Sequence, residues 1–504
     1  MSDTPAYLRR SLAFLEWIRA ARPHAQVTLD SVALGSWAGL APQWRRQGNR
    51  IHLRLHPQAR NLAFCISSVQ PAPWGANIRV RDGGRPSAEM HVIWRDLPES
   101  VRLRDRSTLI AARAWARRRL PGCQIRSEGR TPDRTHSLAG GYLRLRLRRG
   151  DEDHLLLACG NCEAEEKSHA MLTQALLWLA CLHDQAVIRG VPTVHLLVPA
   201  GHAAVLCHRA RLVSREQVRI EVWEYEETAP HQWQTRRPPQ PPAPVEDRDF
   251  RWPVLGPFRW SRMLERVVGL APDAIQRYPR FQDYDSLRLW GLEFARVEGP
   301  DRDRVCFGVG AQTELTEDNF VDLRALVEEI LYYRRADSPA PDHPYYRMQS
   351  ERWLESLLLS EIEHLFPELV PGSVYPQIPV YLGKVPGRVD ILGADRDGNL
   401  VVMELKVTED PDMPLQSLDY WGRVIVHNLS GDFERRGYFA GLRLSRALPK
   451  IYLISPLFSF HDSLERVQRY LDAELEVAKI GINEDWRCGV KILRRRNYRC
   501  GELR

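Results

Sequence analysis

Lysine is nearly missing from this chain: only six of its 71 basic residues are Lys, the first of them Lys167. No run of 18 apolar residues occurs, which predicts no membrane-spanning helix. Cysteine is sparse and odd in number, nine residues in 504 between Cys65 and Cys500. The opening Met1-Ser-Asp-Thr-Pro5 lacks a basic-then-apolar layout, so reduced thiols and a cytoplasmic location are expected. Cys159 and Cys162 form a CxxC without a second CxxC at zinc-ribbon spacing, and two buried thiols at a strand end are expected there, not a metal. At 44% hydrophobic and 27% charged, the chain has the apolar content of a folded protein, and its length predicts about three domains.

The net charge of +7 hides an asymmetry. Residues 1–150 hold 27 Arg, no Lys and 10 acids, a net of +17, which leaves −10 for the remainder. Arg102-Leu-Arg-Asp-Arg106, Arg117-Arg118-Arg119 and Arg144-Leu-Arg146-Leu-Arg148-Arg149 are the dense runs. An excess this one-sided repels itself unless a polyanion relieves it, so this part is expected to contact nucleic acid through Arg117, Arg118, Arg119, Arg144, Arg146, Arg148 and Arg149.

Clustered prolines in Arg236-Arg-Pro-Pro-Gln-Pro-Pro-Ala-Pro-Val245 predict an extended spacer, and Ala336-Asp-Ser-Pro-Ala-Pro-Asp-His-Pro344 marks a second break. The expected segments are residues 1–235, an Arg-rich α/β domain; 236–248, a linker; 249–344, a middle α+β connecting module; and 345–504. The middle module offers Leu287 to Val297, Val305 to Gly308 and a helix from Val321 to Tyr333, with Trp290 and Phe294 expected in its core.

Chemistry concentrates in the last segment. A helix is expected from Glu351 to about Phe366, strands over Tyr375–Tyr381, Arg388–Gly393 and Leu400–Val407, a helix from about Leu415 to Val426, and a strand over Lys450–Ser455. Glu404 and Lys406 interrupt an apolar run two residues apart, on one face of their strand. Asp390 and Glu404 each lie seven residues from Asp397, the middle of the turn Asp395-Arg-Asp-Gly-Asn399, so an antiparallel hairpin seats the two carboxylates opposite one another. Like charges at that range repel, and a hard divalent cation such as Mg²⁺ or Mn²⁺ removes the penalty. In so Lys-poor a chain, Lys406 stands out as a compact ammonium suited to orienting or activating water.

Asp390, Glu404-Leu-Lys406 and Gln416-Ser-Leu-Asp-Tyr420, with Gly387-Arg-Val before Asp390 and an acidic helix upstream, resemble the PD-(D/E)XK nuclease superfamily, in the branch with a trailing QxxxY helix and RecB-type or mismatch-type endonuclease domains. The resemblance covers roughly the last 150 residues. It implies an α/β fold with a restriction-endonuclease-like mixed sheet flanked by helices. It also implies a Mg²⁺- or Mn²⁺-dependent endonuclease acting on phosphodiester bonds, of DNA in preference to RNA, in repair, restriction or defence. Asp390, Glu404 and the Leu405 carbonyl would hold the metal, Lys406 would position the attacking water, and Gln416 and Tyr420 would steady the lysine and contact a phosphate. Glu351 would complete the acid set, with Glu355 as the alternative; helical projection places Glu351 nearer the apolar stripe. Val389 replaces the proline of the superfamily's PD pair. Asp419 is expected to be solvated.

The N-terminal part echoes this order without its acids and lysine. Arg106 to Leu120, Tyr142 to Arg148, Leu155 to Gly160, Gln174-Ala-Leu-Leu-Trp178 and Pro192 to Pro199 parallel the C-terminal helix, strands, QxxxY helix and Pro449 to Pro456. A degenerate, metal-free copy with a substrate-holding role is one expectation, and coincidence between two α/β patterns is the other. A non-catalytic nucleic-acid-binding scaffold and a defence nuclease gated by a partner or ligand are the alternative functions; self-association is compatible with either.

Overall fold

The computed structural model describes residues 6–21, 25–29, 32–47, 50–56, 62–72, 75–81, 88–93, 98–160, 165–188, 190–229, 232–238, 261–279, 284–298, 304–382, 385–472 and 474–499. Cys162, the linker beyond Pro238 and the side chains of Arg102, Arg104 and Arg106 lie outside the described residues. The fold is mixed α/β with four sheets among the described residues. It divides into two compact units, Met1–Val101 with Gly256–Leu357, and Arg102–Leu255 with Leu358–Arg504. No helix among the described residues is long and apolar enough to cross a membrane.

The first unit holds two antiparallel sheets. Seven strands within residues 26–93 enclose a core that includes Leu53, Ile78, Val80 and Met90. Five strands within residues 275–314 pack Leu287, Phe294 and Val297 against Leu323, Val327 and Ile330 of the helix Phe320–Tyr333. Residues 1–235 therefore hold two sheets assigned to different units. The strands of residues 26–93 pair only among themselves, and a separate sheet starts at Gln124.

The second unit contains the same architecture twice. After helix α1 (Pro98–Arg119) come β1 (Gln124–Gly129), β2 (Leu143–Arg149), β3 (Glu152–Ala158), α2 (Met171–Asp184), β4 (Thr193–Pro199), α3 (Ala204–Ala210), β5 (Arg219–Ala229) and β6 (Gln232–Arg236). The C-terminal series is β7 (Leu369–Leu382), β8 (Val385–Asp395), β9 (Leu400–Leu405), α4 (Met413–Leu429), β10 (Lys450–Pro456), α5 (Leu464–Gln468), β11 (Glu476–Ile482) and β12 (Ile492–Arg499). In each sheet the strands lie in chain order. Neighbours are antiparallel except for two parallel pairs, β3–β4–β5 in one and β9–β10–β11 in the other.

The parallel pairs need crossover helices, and those helices are the apolar segments between the strands. Leu176 and Leu179 of α2, Leu415 and Leu418 of α4, and Leu464 and Val467 of α5 join Leu157, Leu196, Ile451 and Leu453 of the two sheets in one continuous core. The β8–β9 turn forms as its composition dictates. Asp395 Oδ1 accepts from the N–H groups of Asp397 (3.0 Å) and Asn399 (2.8 Å), and Gly398 takes φ 79° where a Cβ would meet the Arg443 carbonyl oxygen at 2.2 Å.

Candidate active site

The hairpin register puts Ile391 opposite Met403, one step from the Asp390 and Glu404 positions. Asp390 does not simply face outward there. Its Oδ2 accepts the Leu405 N–H at 2.9 Å, and its Oδ1 lies 3.4 Å from Gln377 Nε2, the donor on β7. The carboxylate is thus oriented from two strands. Gln377 is buried and has φ 58°, a left-handed conformation that a non-glycine residue adopts at a cost of about 1 kcal/mol.

Glu404 is buried at 2% exposure. Lys406 lies just past the end of β9, its N–H bonded to the Ile454 carbonyl at 3.1 Å. Its Nζ stands 3.5 Å from Glu404 Oε1 and 3.6 Å from Asp410 Oδ2. Tyr420 closes the group from α4. Burial, followed by the carboxylates of Glu404 and Asp390 and opposed by Lys406, raises its phenol pKa, so it keeps its proton at neutral pH. Gly387 on β8 leaves the room its ring needs, because a Cβ there would lie 2.8 Å from Tyr420 Cε1. Gln416 sits one helical turn before Tyr420 and is half-buried; among the described residues its side chain makes no hydrogen bond.

Glu404 and Asp410 flank the Lys406 ammonium, and Asp390 lies opposite Glu404 in the hairpin. An all-oxygen donor set fits a hard divalent cation. Among the described residues no three His, Cys, Asp or Glu side chains are arranged to hold a metal. Asp390, Glu404 and the Leu405 carbonyl would be the protein donors, with water completing the shell. A cavity of about 410 Å³ also opens on the second sheet, lined by Lys450, Tyr452, Glu476, Arg495 and Arg499. Tyr452 alternates with the core residue Leu453, so this cavity lies on the sheet face away from Glu404. Lys450, Arg495 and Arg499 are each matched with an acid, Asp395, Glu368 and Glu476 respectively, so no unbalanced charge remains there.

Three placements correct the sequence reading. Asp419 is buried, because Arg209 from α3 reaches it with hydrogen bonds of 2.8–3.1 Å. In the helix Ser350–Ser360 it is Glu355, at 1% exposure, that turns inward, and Glu351 is only half-buried. Buried Arg288 at 3.7 Å and Arg352 at 2.8 Å supply the partners that make Glu355 the interior acid. That helix spans the boundary between the units, and both acids belong to the first. Finally, Arg144 and Arg146 point into the fold. Arg144 donates to the carbonyls of Thr131 and Ala139, and Arg146 to Asp153 and the Val187 carbonyl. Arg148 and Arg149 pair with Asp151 and Glu152, while Arg117, Arg118 and Arg119 are exposed at the end of α1.

Register also identifies the positions in the first sheet that correspond to the acid–lysine set. Leu157 pairs with Leu196 as Glu404 pairs with Leu453, and the Cys159 N–H bonds the Leu197 carbonyl as the Lys406 N–H bonds that of Ile454. The residue opposite Leu157 is Arg144, which takes the place of Asp390. Asp390, Glu404 and Lys406 thus correspond to Arg144, Leu157 and Cys159.

Sequence reading missed Asp410 and Gln377, and took Gly387 only as part of the Gly387-Arg-Val-Asp390 motif. Asp410 carried a signal, the i+4 spacing from Lys406. Gln377 depends on pairing across strands and could be found only after β7 and β8 were in register, and the room Gly387 leaves matters only once α4 brings Tyr420 against it. In comparisons with known proteins, no family model and no curated sequence matches the chain.

Proposed function

We propose that the C-terminal half of the second unit is a metal-dependent phosphodiesterase centre acting on nucleic acid, DNA in preference to RNA. One observation carries this reading: Asp390, Glu404 and Lys406 converge at the end of a buried hairpin, under a protonated Tyr420. Buried charges of this kind are costly without a purpose. A divalent cation held by Asp390, Glu404 and the Leu405 carbonyl would polarise the phosphoryl group and acidify a bound water.

The chain's own residues supply orientation and charge. Gln377 and the Leu405 N–H fix the Asp390 carboxylate from two strands. The Lys406 ammonium, balanced between Glu404 and Asp410, can donate to an attacking water while stabilising negative charge that develops on phosphate. Tyr420 remains a hydrogen-bond donor and serves a phosphate oxygen. The exposed Arg117, Arg118 and Arg119 are the best-placed of the expected phosphate contacts.

The test is a panel of single-stranded, double-stranded and branched DNA plus RNA, incubated with Mg²⁺, Mn²⁺ or EDTA, using wild-type protein beside Lys406→Ala. Cutting that needs the metal and falls at least about 100-fold in the variant is expected. Binding without cutting in every lane overturns the proposal in favour of a nucleic-acid-binding scaffold.

A further inference from the structure

The contact between the two halves of the second unit holds a buried ion cluster. Arg209, 2% exposed, reaches from α3 to two acids of α4. Its Nε and Nη2 grip Asp419 at 2.8–3.1 Å, and its Nη1 donates to both oxygens of Asp412 at 3.0 Å and to the His169 carbonyl at 2.9 Å. Thr173 on α2 adds a hydrogen bond to Asp412. Asp412 stands at the N-cap of α4, yet its side chain caps nothing. An aspartate there ordinarily bonds the first free N–H groups of its helix; here Arg209 and Thr173 take it.

Both acids adjoin the hydrolytic centre. Asp419 immediately precedes Tyr420. The N–H of Asp412 donates to Asp410 Oδ1 at 2.8 Å, and the other oxygen of Asp410 faces the Lys406 ammonium. One guanidinium therefore ties down both the helical turn that presents Tyr420 and the loop that balances Lys406. The reverse contact, from Arg469 at the end of α5 to Asp184 of α2 at 3.6 Å, is a single ion pair exposed to solvent. Helices α2 and α4 correspond at an offset of 242, which matches Met171 with Met413, Gln174 with Gln416 and Trp178 with Tyr420. At that offset Ala170 and Leu177 stand where Asp412 and Asp419 do, and neither can accept a guanidinium.

We propose that Arg209 is a positioning residue for the centre, and that the half of the unit lacking the acid–lysine set serves to hold α4 and the Asp410 loop of the other half. The inference rests on reading Asp390, Glu404 and Lys406 as hydrolytic, and it adds a part played by the first sheet's helices.

Two variants test it. Arg209→Lys keeps the charge and loses the fork geometry. The triple variant Arg209→Met, Asp412→Asn, Asp419→Asn removes the clamp's three charges together and leaves Arg423, also buried, unchanged. Both should lower kcat at least tenfold with KM and EDTA-state DNA affinity within twofold of wild type, and amide exchange across Met413–Leu429 should accelerate at least tenfold while β9 and β10 stay protected. The triple variant decides should Arg209→Lys not fold. Wild-type kcat in the folded triple variant, or unchanged exchange in α4, overturns the clamp. If wild-type protein cuts nothing, the hydrolytic reading fails alone, and exchange in α4 still decides whether Arg209 holds the helix.

Discussion

Gly387→Ala probes the centre by pushing on one of its walls. The new methyl carbon would stand 2.8 Å from Tyr420 Cε1 and 3.4 Å from Val380 Cγ2. Carbon atoms rest at about 3.5–4.0 Å, so the ring must retreat by roughly 0.7 Å. It has little freedom to do so: Trp421 Nε1 bonds the Pro449 carbonyl at 2.7 Å on one side of Tyr420, and Asp419 is held by Arg209 on the other. Overpacking of this kind costs about 1–3 kcal/mol, and a misplacement approaching 1 Å can lower a catalytic rate by about 100-fold. Urea denaturation should show a loss in that range, with kcat down 10- to 100-fold on whichever substrate the wild type cuts. Adding Tyr420→Ala removes the clash, so the double variant should be more stable than additivity predicts, with a coupling of at least about 1 kcal/mol. Wild-type stability and rate in Gly387→Ala would refute the placement of the ring and its role.

Two further outcomes follow from buried charges. Glu355→Gln removes the carboxylate 3.7 Å from the buried Arg288 and should cost about 3 kcal/mol in urea denaturation; a loss below about 0.5 kcal/mol would show that the pair contributes nothing. His208 should make stability pH-dependent, because burial, reinforced by Arg423 and Arg209, lowers its pKa to about 4. The unfolded chain takes up this proton first, near pH 6.5. Stability is therefore complete above pH 6.5 and declines as the pH falls towards 4, by roughly 3 kcal/mol for the 2.5-unit difference. Denaturation midpoints across pH 4–7 should flatten by that amount in His208→Gln, and identical profiles for the two proteins would contradict the assignment.

The hairpin was legible in the sequence because its information is local. The Asp-Gly-Asn turn sets the centre of symmetry, and strand alternation then fixes which residues face each other; Glu404 and Lys406 had to share a face whatever surrounded them. The duplicated order of elements was legible for the same reason, each apolar run being a strand or helix of ordinary length. What escaped was set by partners distant in sequence. Asp419 reads as a surface residue on a helical wheel until Arg209, 210 residues earlier, arrives to neutralise it. Glu355 likewise moves inside its helix because Arg288, on the strand Tyr284–Leu289, waits there. Arg144 and Arg146 read as a basic face, yet their strand is covered on both sides and their guanidinium groups satisfy backbone carbonyls and an acid within the fold. A one-dimensional charge count cannot separate such arginines from those that meet solvent.

The three replacements that distinguish the first sheet belong together physically. An ammonium at the Cys159 position would need a carboxylate at the Leu157 position to offset its burial, and two facing carboxylates would need a cation to offset theirs. Losing any one member leaves the others as unpaired buried charge, so the stable endpoint removes the whole set. Leu157 and Cys159 are fully buried, and Arg144 supplies a permanent cation that donates to Thr131 and Ala139. No such pressure acts on the helices. Their apolar faces form one core with the second sheet, and Arg209 and Thr173 carry the polar contacts to α4. The first half keeps its fold without the acid–lysine set, whereas the surface that holds α4 cannot change without unpairing Asp412 and Asp419.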